Sequence, residues 1–158
     1  MRGDVPGDRS LSPTPSPWFA PIATRTMIVI DATVLVVALA DDGPDGDLVR
    51  DRLRRESLTA PDLVDLEVVS VLRRLHRAGG LDARRGTLAV RDLHDLPFDR
   101  VPHRALVQRC WELRGNFTAY DAAYVALAEA LDVPLMTADQ RLASAPGLPC
   151  VVETITGE

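Results

Sequence analysis

Short apolar runs alternate with helical patterns along most of the chain. The first run, Met27-Ile28-Val29-Ile30, is rich in β-branched residues and predicts a strand. Shorter runs of the same kind predict strands at residues 58–60, 98–101, 134–137 and 150–154. Strands that alternate with helices are typical of parallel α/β proteins. We therefore predict an α/β fold in which a small parallel β-sheet is flanked by helices.

The intervening segments carry apolar residues at helical spacing. They predict helices over residues 32–40, 47–55, 61–78, 82–95, 118–131 and 140–145, and a further helix that opens at Pro102. Pro61 is placed in the first turn of its helix, because that turn does not need the N–H group that proline lacks. Ligands of a parallel sheet bind at the carboxyl ends of its strands, so the residues that follow each strand are the first candidates for a site.

The first 26 residues lack this periodicity. They contain five prolines among serine, threonine and glycine residues. Such a composition predicts a disordered or loosely packed tail. We accordingly divide the chain into a Pro-rich tail at residues 1–26 and one folded domain at residues 27–158.

Length and composition fit one ordinary soluble domain, with 158 residues, a hydrophobic fraction of 46% and a formal net charge of −5. All 18 basic residues are arginines. The acidic balance argues against broad electrostatic adhesion to nucleic acid, although it permits a local basic rim around an acidic pocket. The two cysteines lie far apart and the three histidines form no metal-binding spacing, so we expect a cytoplasmic protein without a disulfide or a zinc site.

One segment imitates an export signal. Residues 27–40 are largely apolar, follow Arg25 and end in Ala38-Leu39-Ala40. Asp31 lies inside this run, and a carboxylate in such a segment costs about 2.5–3.5 kcal/mol on membrane-insertion scales. The run is also too short to span a bilayer. We therefore predict neither export nor a membrane-spanning helix.

Four acidic residues stand where the apolar pattern favours other side chains. Asp31 follows the first strand directly, and Asp139 comes two residues after the strand that ends at Thr137, so both are expected at the carboxyl edge of the sheet. Glu67 borders the apolar stripe of its helix, and Asp121 lies in the first turn of its helix on the core side. Taken singly, each has a structural explanation, since aspartates cap helices and a glutamate at a boundary can reach solvent.

Taken together, the four carboxylates would converge on one cleft of a parallel α/β fold. They would repel one another and require a cation, and a set of hard oxygen ligands suits Mg²⁺ or Mn²⁺. Such a metal centre is well suited to hydrolysis of a phosphodiester. The hydroxyls of Thr33 and Thr137 are close by in sequence and could hold a carboxylate or a metal-bound water, or serve as turn hydroxyls.

The same residues resemble the motifs of PIN-domain ribonucleases, and more narrowly those of the VapC-type toxins of bacterial toxin–antitoxin pairs. The most specific match is residues 120–131 (YDAAYVALAEAL) followed by residues 133–142 (VPLMTADQRL). Residues 28–33 (IVIDAT) and 61–67 (PDLVDLE) match the first and middle motifs of that family. The resemblance covers nearly everything after Met27.

The resemblance implies a PIN-like fold, Mg²⁺- or Mn²⁺-dependent endonucleolytic cleavage of RNA, a cognate antitoxin protein that covers the groove, and a homodimer. It also implies that the catalytic and metal-binding acids are Asp31, Glu67, Asp121 and Asp139. Some family members carry a further acidic residue soon after the last motif, where this chain has Gln140 and Arg141. The choice between one and two metal ions therefore stays open.

RNA-binding residues and two alternative functions complete the predictions. Arg73, Arg74 and Arg77 follow Glu67 along the same helix and are candidate phosphate contacts, or else part of a solvated helix face.

One alternative function is a catalytically silent PIN-like module that only binds a partner. The other is a phosphatase of the haloacid dehalogenase type, whose chemistry requires a second aspartate two residues after the first, where this chain has Thr33.

Overall fold

A five-stranded, all-parallel sheet forms the centre of the computed structural model, which describes residues 25–155. The strand order is β3-β2-β1-β4-β5. The strands are β1 (Thr26–Ile30), β2 (Glu56–Pro61), β3 (Asp99–Val101), β4 (Leu135–Thr137) and β5 (Val152–Thr154). The predicted α/β class with a small parallel sheet is confirmed.

Helices connect the strands in the described part of the chain. They are α1 (Ala32–Ala40), α2 (Pro44–Leu53), α3 (Val64–Arg77), α4 (Ala83–Asp95), α5 (Val107–Glu112), α6 (Ala119–Leu131) and α7 (Gln140–Ala143). Connections between parallel strands are right-handed. The helices between β1 and β3 therefore cover one face of the sheet, and those between β3 and β5 cover the other.

β1 is the central strand, and both of its faces are covered. Ile28, Val29 and Ile30 are all buried, as expected for a strand between two helical layers. Because both faces of β1 are buried, consecutive residues in it are apolar. A strand with one face in solvent would alternate apolar and polar positions. In α6, residues 122–128 are likewise buried without interruption.

The three largest differences between the predicted boundaries and the structure concern helix starts. Pro61 ends β2, and α3 begins only at Val64, so the predicted helix start at Pro61 is wrong. α2 begins at Pro44 and not at residue 47, which puts Pro44 in a first turn that needs no N–H donor. The segment after Pro102 forms a 3₁₀ turn at His103–Leu106 before α5 begins.

The predicted tail, residues 1–26, lies outside the described residues except for Arg25 and Thr26. Thr26 is the first residue of β1, one position before the predicted start of the domain. No helix within residues 25–155 is long and apolar enough to cross a membrane.

The strand order reverses direction at the contact between β1 and β4. The chain adds β2 and β3 on one side of β1 and then returns to place β4 on the other side. Connections that diverge at such a reversal leave a crevice at the carboxyl edge, where open α/β sheets bind ligands. Ile30 pairs with Met136 across this contact, so the next residues, Asp31 and Thr137, lie side by side at the crevice.

Candidate active site

Asp31 is a buried carboxylate at the crevice between β1 and β4, with 4% of its surface exposed. Its Oδ1 accepts hydrogen bonds from the backbone N–H groups of Thr33 (2.8 Å) and Val34 (3.2 Å), and thereby caps α1. The hydroxyl of Thr33 also donates to Oδ1, and the hydroxyl of Thr137 donates to Oδ2. Four donors from two different strand ends therefore surround one carboxylate.

The two threonines join the ends of β1 and β4 through Asp31. Each hydroxyl gives its single proton to Asp31 and accepts a backbone N–H in return. Thr33 Oγ1 accepts from Ala138 at 2.9 Å, and Thr137 Oγ1 accepts from Asp139 at 2.9 Å. Both threonines predicted to support the site thus contact Asp31, and one of them also orders the backbone at Asp139.

Burial raises the pKa of Asp31, and the hydrogen bonds from Thr137 and Thr33 offset part of that rise. These donors supply the polar environment that an ionised carboxylate loses when it leaves water. Oδ2 accepts only the Thr137 hydroxyl among the described residues. A carboxylate oxygen has two lone pairs, so Oδ2 retains one that is available to a ligand.

Glu67 lies in the first turn of α3 and is partly buried. Its Oε2 accepts a hydrogen bond from the hydroxyl of Tyr124, a buried residue of α6. Burial raises the pKa of Glu67, the bond from Tyr124 lowers it, and the negative charges of Asp31 and Asp121 raise it further. Three acids from three different elements therefore interact electrostatically at the carboxyl edge.

Sequence reasoning alone misses Tyr124. Its side chain lies on the same face of α6 as Asp121, three residues earlier, and this helical spacing is the signal that could have identified it. Burial and the hydrogen bond to Glu67 raise the pKa of Tyr124. The phenol therefore stays protonated and acts as a donor that fixes one oxygen of Glu67.

Asp121 and Asp139 lie at helix N-termini on the same edge of the sheet. Asp121 Oδ2 accepts a hydrogen bond from the hydroxyl of Thr118, the N-cap of α6, at 2.8 Å. Asp139 is itself the N-cap of α7, and its Oδ1 accepts the backbone N–H groups of Arg141 (2.8 Å) and Leu142 (3.4 Å). The positive ends of both helix dipoles stabilise these carboxylates as anions.

Arg141 links Asp121 to Asp139. Its Nη2 lies 3.2 Å from Oδ2 of Asp139 and 3.9 Å from Oδ2 of Asp121. From the sequence, Arg141 was visible only as a departure from the last motif of the family. In the structure, its guanidinium connects the N-terminal ends of α6 and α7 and places a positive charge beside two of the four predicted acids.

Asp31 and Asp139 cap helices, and this role is compatible with a role in the predicted site. Each residue caps the helix that follows it, as considered from the sequence. Capping uses Oδ1 in both cases and leaves Oδ2 for other contacts. A strand-end aspartate can therefore start a helix and also present an oxygen at the carboxyl edge.

The four carboxylates do not close into a metal cage in the conformation described. Within residues 25–155, no group of three or more His, Cys, Asp or Glu side chains is arranged to hold a metal ion. The donor set nevertheless suits a hard cation, because these acids offer only oxygen ligands. The negative charges that raise the pKa of Glu67 also favour a cation beside it. Convergence of all four acids on a metal stays a prediction.

The predicted RNA-binding arginines lie away from this edge. Arg73, Arg74 and Arg77 are exposed in the C-terminal part of α3, and Glu67 lies at its opposite end. With a rise of about 1.5 Å per residue, Arg73 is about 9 Å and Arg77 about 15 Å from Glu67 along the helix axis. RNA contact at these residues stays a prediction.

The chain matches the model of one protein family over most of its described length. The family model described as PIN domain matches residues 28–148. This chain therefore belongs to the PIN domain family.

Two relatives and one solved structure show which members of the family the chain is similar to. Ribonuclease VapC1 of Mycobacterium tuberculosis is 44% identical over 128 residues, which cover 80% of this chain and 96% of that protein. Ribonuclease VapC9 of the same species is 42% identical over 129 residues, which cover 82% of this chain and 98% of that protein. The crystal structure of VapBC2 from Rickettsia felis, bound to a DNA fragment from their promoter, superposes with a TM-score of 0.59 at 12% identity over 82% of this chain and 98% of that chain. The structural likeness supports the fold.

We expect the substitution Asp31→Asn to stabilise the metal-free chain at neutral pH. Folding raises the pKa of Asp31 above its ordinary value of 3.8, so stability falls as the pH rises from that value through the raised pKa. Each pKa unit corresponds to about 1.4 kcal/mol. Asparagine keeps the capping function. Urea unfolding in EDTA should show a more stable variant at about pH 7 and a difference that shrinks toward zero at about pH 3.

The matched control is Asp82→Asn, which alters an exposed N-cap at the start of α4. It should change the free energy of unfolding by no more than about 0.5 kcal/mol at both pH values. A lower stability of Asp31→Asn than of the unaltered chain at neutral pH would contradict the account of a costly buried charge.

Removal of the Tyr124 hydroxyl by Tyr124→Phe should lower the free energy of unfolding by about 1–3 kcal/mol, because the hydroxyl donates to the charged Glu67 from a buried position. Tyr120→Phe is the control, since Tyr120 is 61% exposed on the same helix and should lose no more than about 0.5 kcal/mol. Chemical denaturation measures both. Equal effects of the two substitutions would mean that the Tyr124–Glu67 hydrogen bond contributes nothing to stability.

Proposed function

We propose that this chain is a Mg²⁺- or Mn²⁺-dependent endoribonuclease, the toxin of a toxin–antitoxin pair, that hydrolyses RNA phosphodiester bonds at the carboxyl edge of its sheet. The observation that carries the proposal is the buried carboxylate of Asp31, which lies at the crevice between β1 and β4 and raises the pKa of the nearby Glu67 by its charge. The names of the VapC1 and VapC9 relatives, both ribonucleases, support the reaction class.

The oxygens that would hold the ion can be named from their hydrogen bonds. Asp31 keeps one lone pair on Oδ2, and neither Oε1 of Glu67 nor Oδ1 of Asp121 accepts a hydrogen bond within the described residues. When bound, the metal supplies a Lewis acid that activates water and neutralises charge on the reacting phosphate. We assign Asp139 to the same acidic group through its link to Asp121.

The residues around these acids position them. The hydroxyls of Thr33 and Thr137 hold the plane of the Asp31 carboxylate, and the phenol of Tyr124 holds that of Glu67. Carboxylates oriented by such hydrogen bonds need not reorganise when a cation arrives, which increases affinity and activity. Burial of Asp31 at the base of the crevice limits the water that competes for the same oxygens.

The proposal includes three partners, which are RNA, an antitoxin protein and a second copy of this chain. RNA is a polyanion, and a divalent cation at the crevice would reduce its repulsion from a chain with a net charge of −5. We propose a cognate antitoxin protein that covers this edge, and a homodimer, in the cytoplasm. A toxin–antitoxin complex from Klebsiella pneumoniae, which has a similar fold at a TM-score of 0.54 and 18% identity, supports a protein partner. The family assignment argues against the phosphatase alternative.

The substitution Asp121→Asn should reduce cleavage of a fluorescently labelled RNA in Mn²⁺ by about 100-fold or more, since it removes a charged oxygen ligand and leaves the capping hydroxyl of Thr118 in place. EDTA should abolish cleavage by the unaltered chain. The matched control is Asp45→Asn, an exposed aspartate in the first turn of α2, which should retain full activity. Full activity of Asp121→Asn in Mn²⁺ would contradict the proposal. Binding of a partner without any cleavage by the unaltered chain would favour the silent module.

A further inference from the structure

Within residues 25–155, Arg141 is the positively charged side chain that forms ion pairs with the predicted acids. Its side chain is 77% exposed, and one nitrogen, Nη2, reaches both Asp139 (3.2 Å) and Asp121 (3.9 Å). The side chains of these two aspartates are 29% and 26% exposed, respectively. The exposed guanidinium therefore lies beside a pair of partly buried carboxylates.

The oxygen that Arg141 contacts on Asp139 is the one that a metal ion would need. Oδ1 of Asp139 is already occupied by the backbone N–H groups that it caps at the start of α7. Oδ2 is the remaining oxygen, and it faces Nη2 of Arg141. A cation at this oxygen would lie beside the positive charge of the guanidinium.

The other side of the site has no such counter-ion. Within residues 25–155, no arginine or histidine forms an ion pair with Asp31 or Glu67. The negative charges of Asp31 and Asp121 act on Glu67. A cationic side chain therefore lies beside Asp139 and Asp121. Asp31 and Glu67 have none within the described residues.

We propose that Arg141 is the built-in second cation of this site, so that the chain binds one divalent ion, beside Asp31 and Glu67, and not two. This inference rests on the proposed metal-dependent function. A second divalent ion at Asp139 would meet the positive charge of the guanidinium. An ion pair with an exposed arginine is weak. The guanidinium therefore lowers the affinity for a second ion, which can still bind at high concentration.

The test is titration of the full chain with MnCl₂ by isothermal calorimetry, in the unaltered form and in three variants. The unaltered chain should bind one Mn²⁺. Arg141→Gln should bind two, or bind the second ion at least about tenfold more tightly, because a unit charge within about 4 Å is removed. Arg141→Lys should remain close to the unaltered chain, because it keeps the charge. Arg73→Gln, which alters an exposed arginine in α3, is the matched control and should bind one ion.

A readout independent of heat is the electron paramagnetic resonance spectrum of bound Mn²⁺. Two ions in one site would broaden the signal of Arg141→Gln by spin coupling, whereas the unaltered chain should give the spectrum of an isolated ion. Circular dichroism checks that the variants are folded.

The contrary outcomes are distinguishable. Two equally tight ions in the unaltered chain, or the same single ion in Arg141→Gln, would overturn the role of Arg141 and leave a metal-dependent nuclease intact. Failure of every form to bind Mn²⁺ would instead overturn the proposed function on which the inference rests.

Discussion

The carboxylate of Asp31 is buried where the two halves of the sheet meet, and much of the site depends on how that charge is accommodated. A buried ion without partners is prohibitively costly. Here the N-terminus of α1 and the hydroxyls of Thr33 and Thr137 supply the hydrogen bonds. Because those hydroxyls accept the N–H groups of Ala138 and Asp139 in return, the same network fixes the chain that leaves β4. One buried charge therefore sets the geometry of both sides of the crevice.

The surroundings of Glu67 and Asp121 also depend on the carboxyl edge at which Asp31 lies. α3 and α6 begin at the carboxyl edge, and each presents an acid from its first turn, Glu67 and Asp121. Helix N-termini favour negatively charged side chains, but burial and the charges of Asp31 and Asp121 oppose the ionisation of Glu67. The protein relieves this conflict in two ways. Tyr124 donates to Glu67, and Arg141 lies against Asp139 and Asp121. The remaining imbalance, at Asp31 and Glu67, is where a cation is best accommodated.

Local patterns predict part of this structure well. The run at residues 27–30 predicts a strand, which the structure confirms and places at the centre of the sheet, and the predicted bounds of α1, residues 32–40, are confirmed. Pro61 was placed wrongly because a missing N–H suits both a helical first turn and the end of a strand. The deciding contact is the pairing of Pro61 with Val101 in β3, which is distant in sequence. The Tyr124–Glu67 bond is equally non-local, since its partners are 57 positions apart in sequence. The position of Arg141 depends on a long side chain whose direction no sequence pattern encodes.

The central claim is that the acids at this carboxyl edge form the metal centre of a nuclease. Crystals of the full chain soaked in MnCl₂ and measured at the manganese absorption edge test it most directly, because anomalous scattering locates the ion without reference to activity. The account predicts an anomalous peak against the carboxylates of Asp31 and Glu67. Well-ordered carboxylates with no manganese peak beside them, or a peak only at a distant part of the surface, would contradict it.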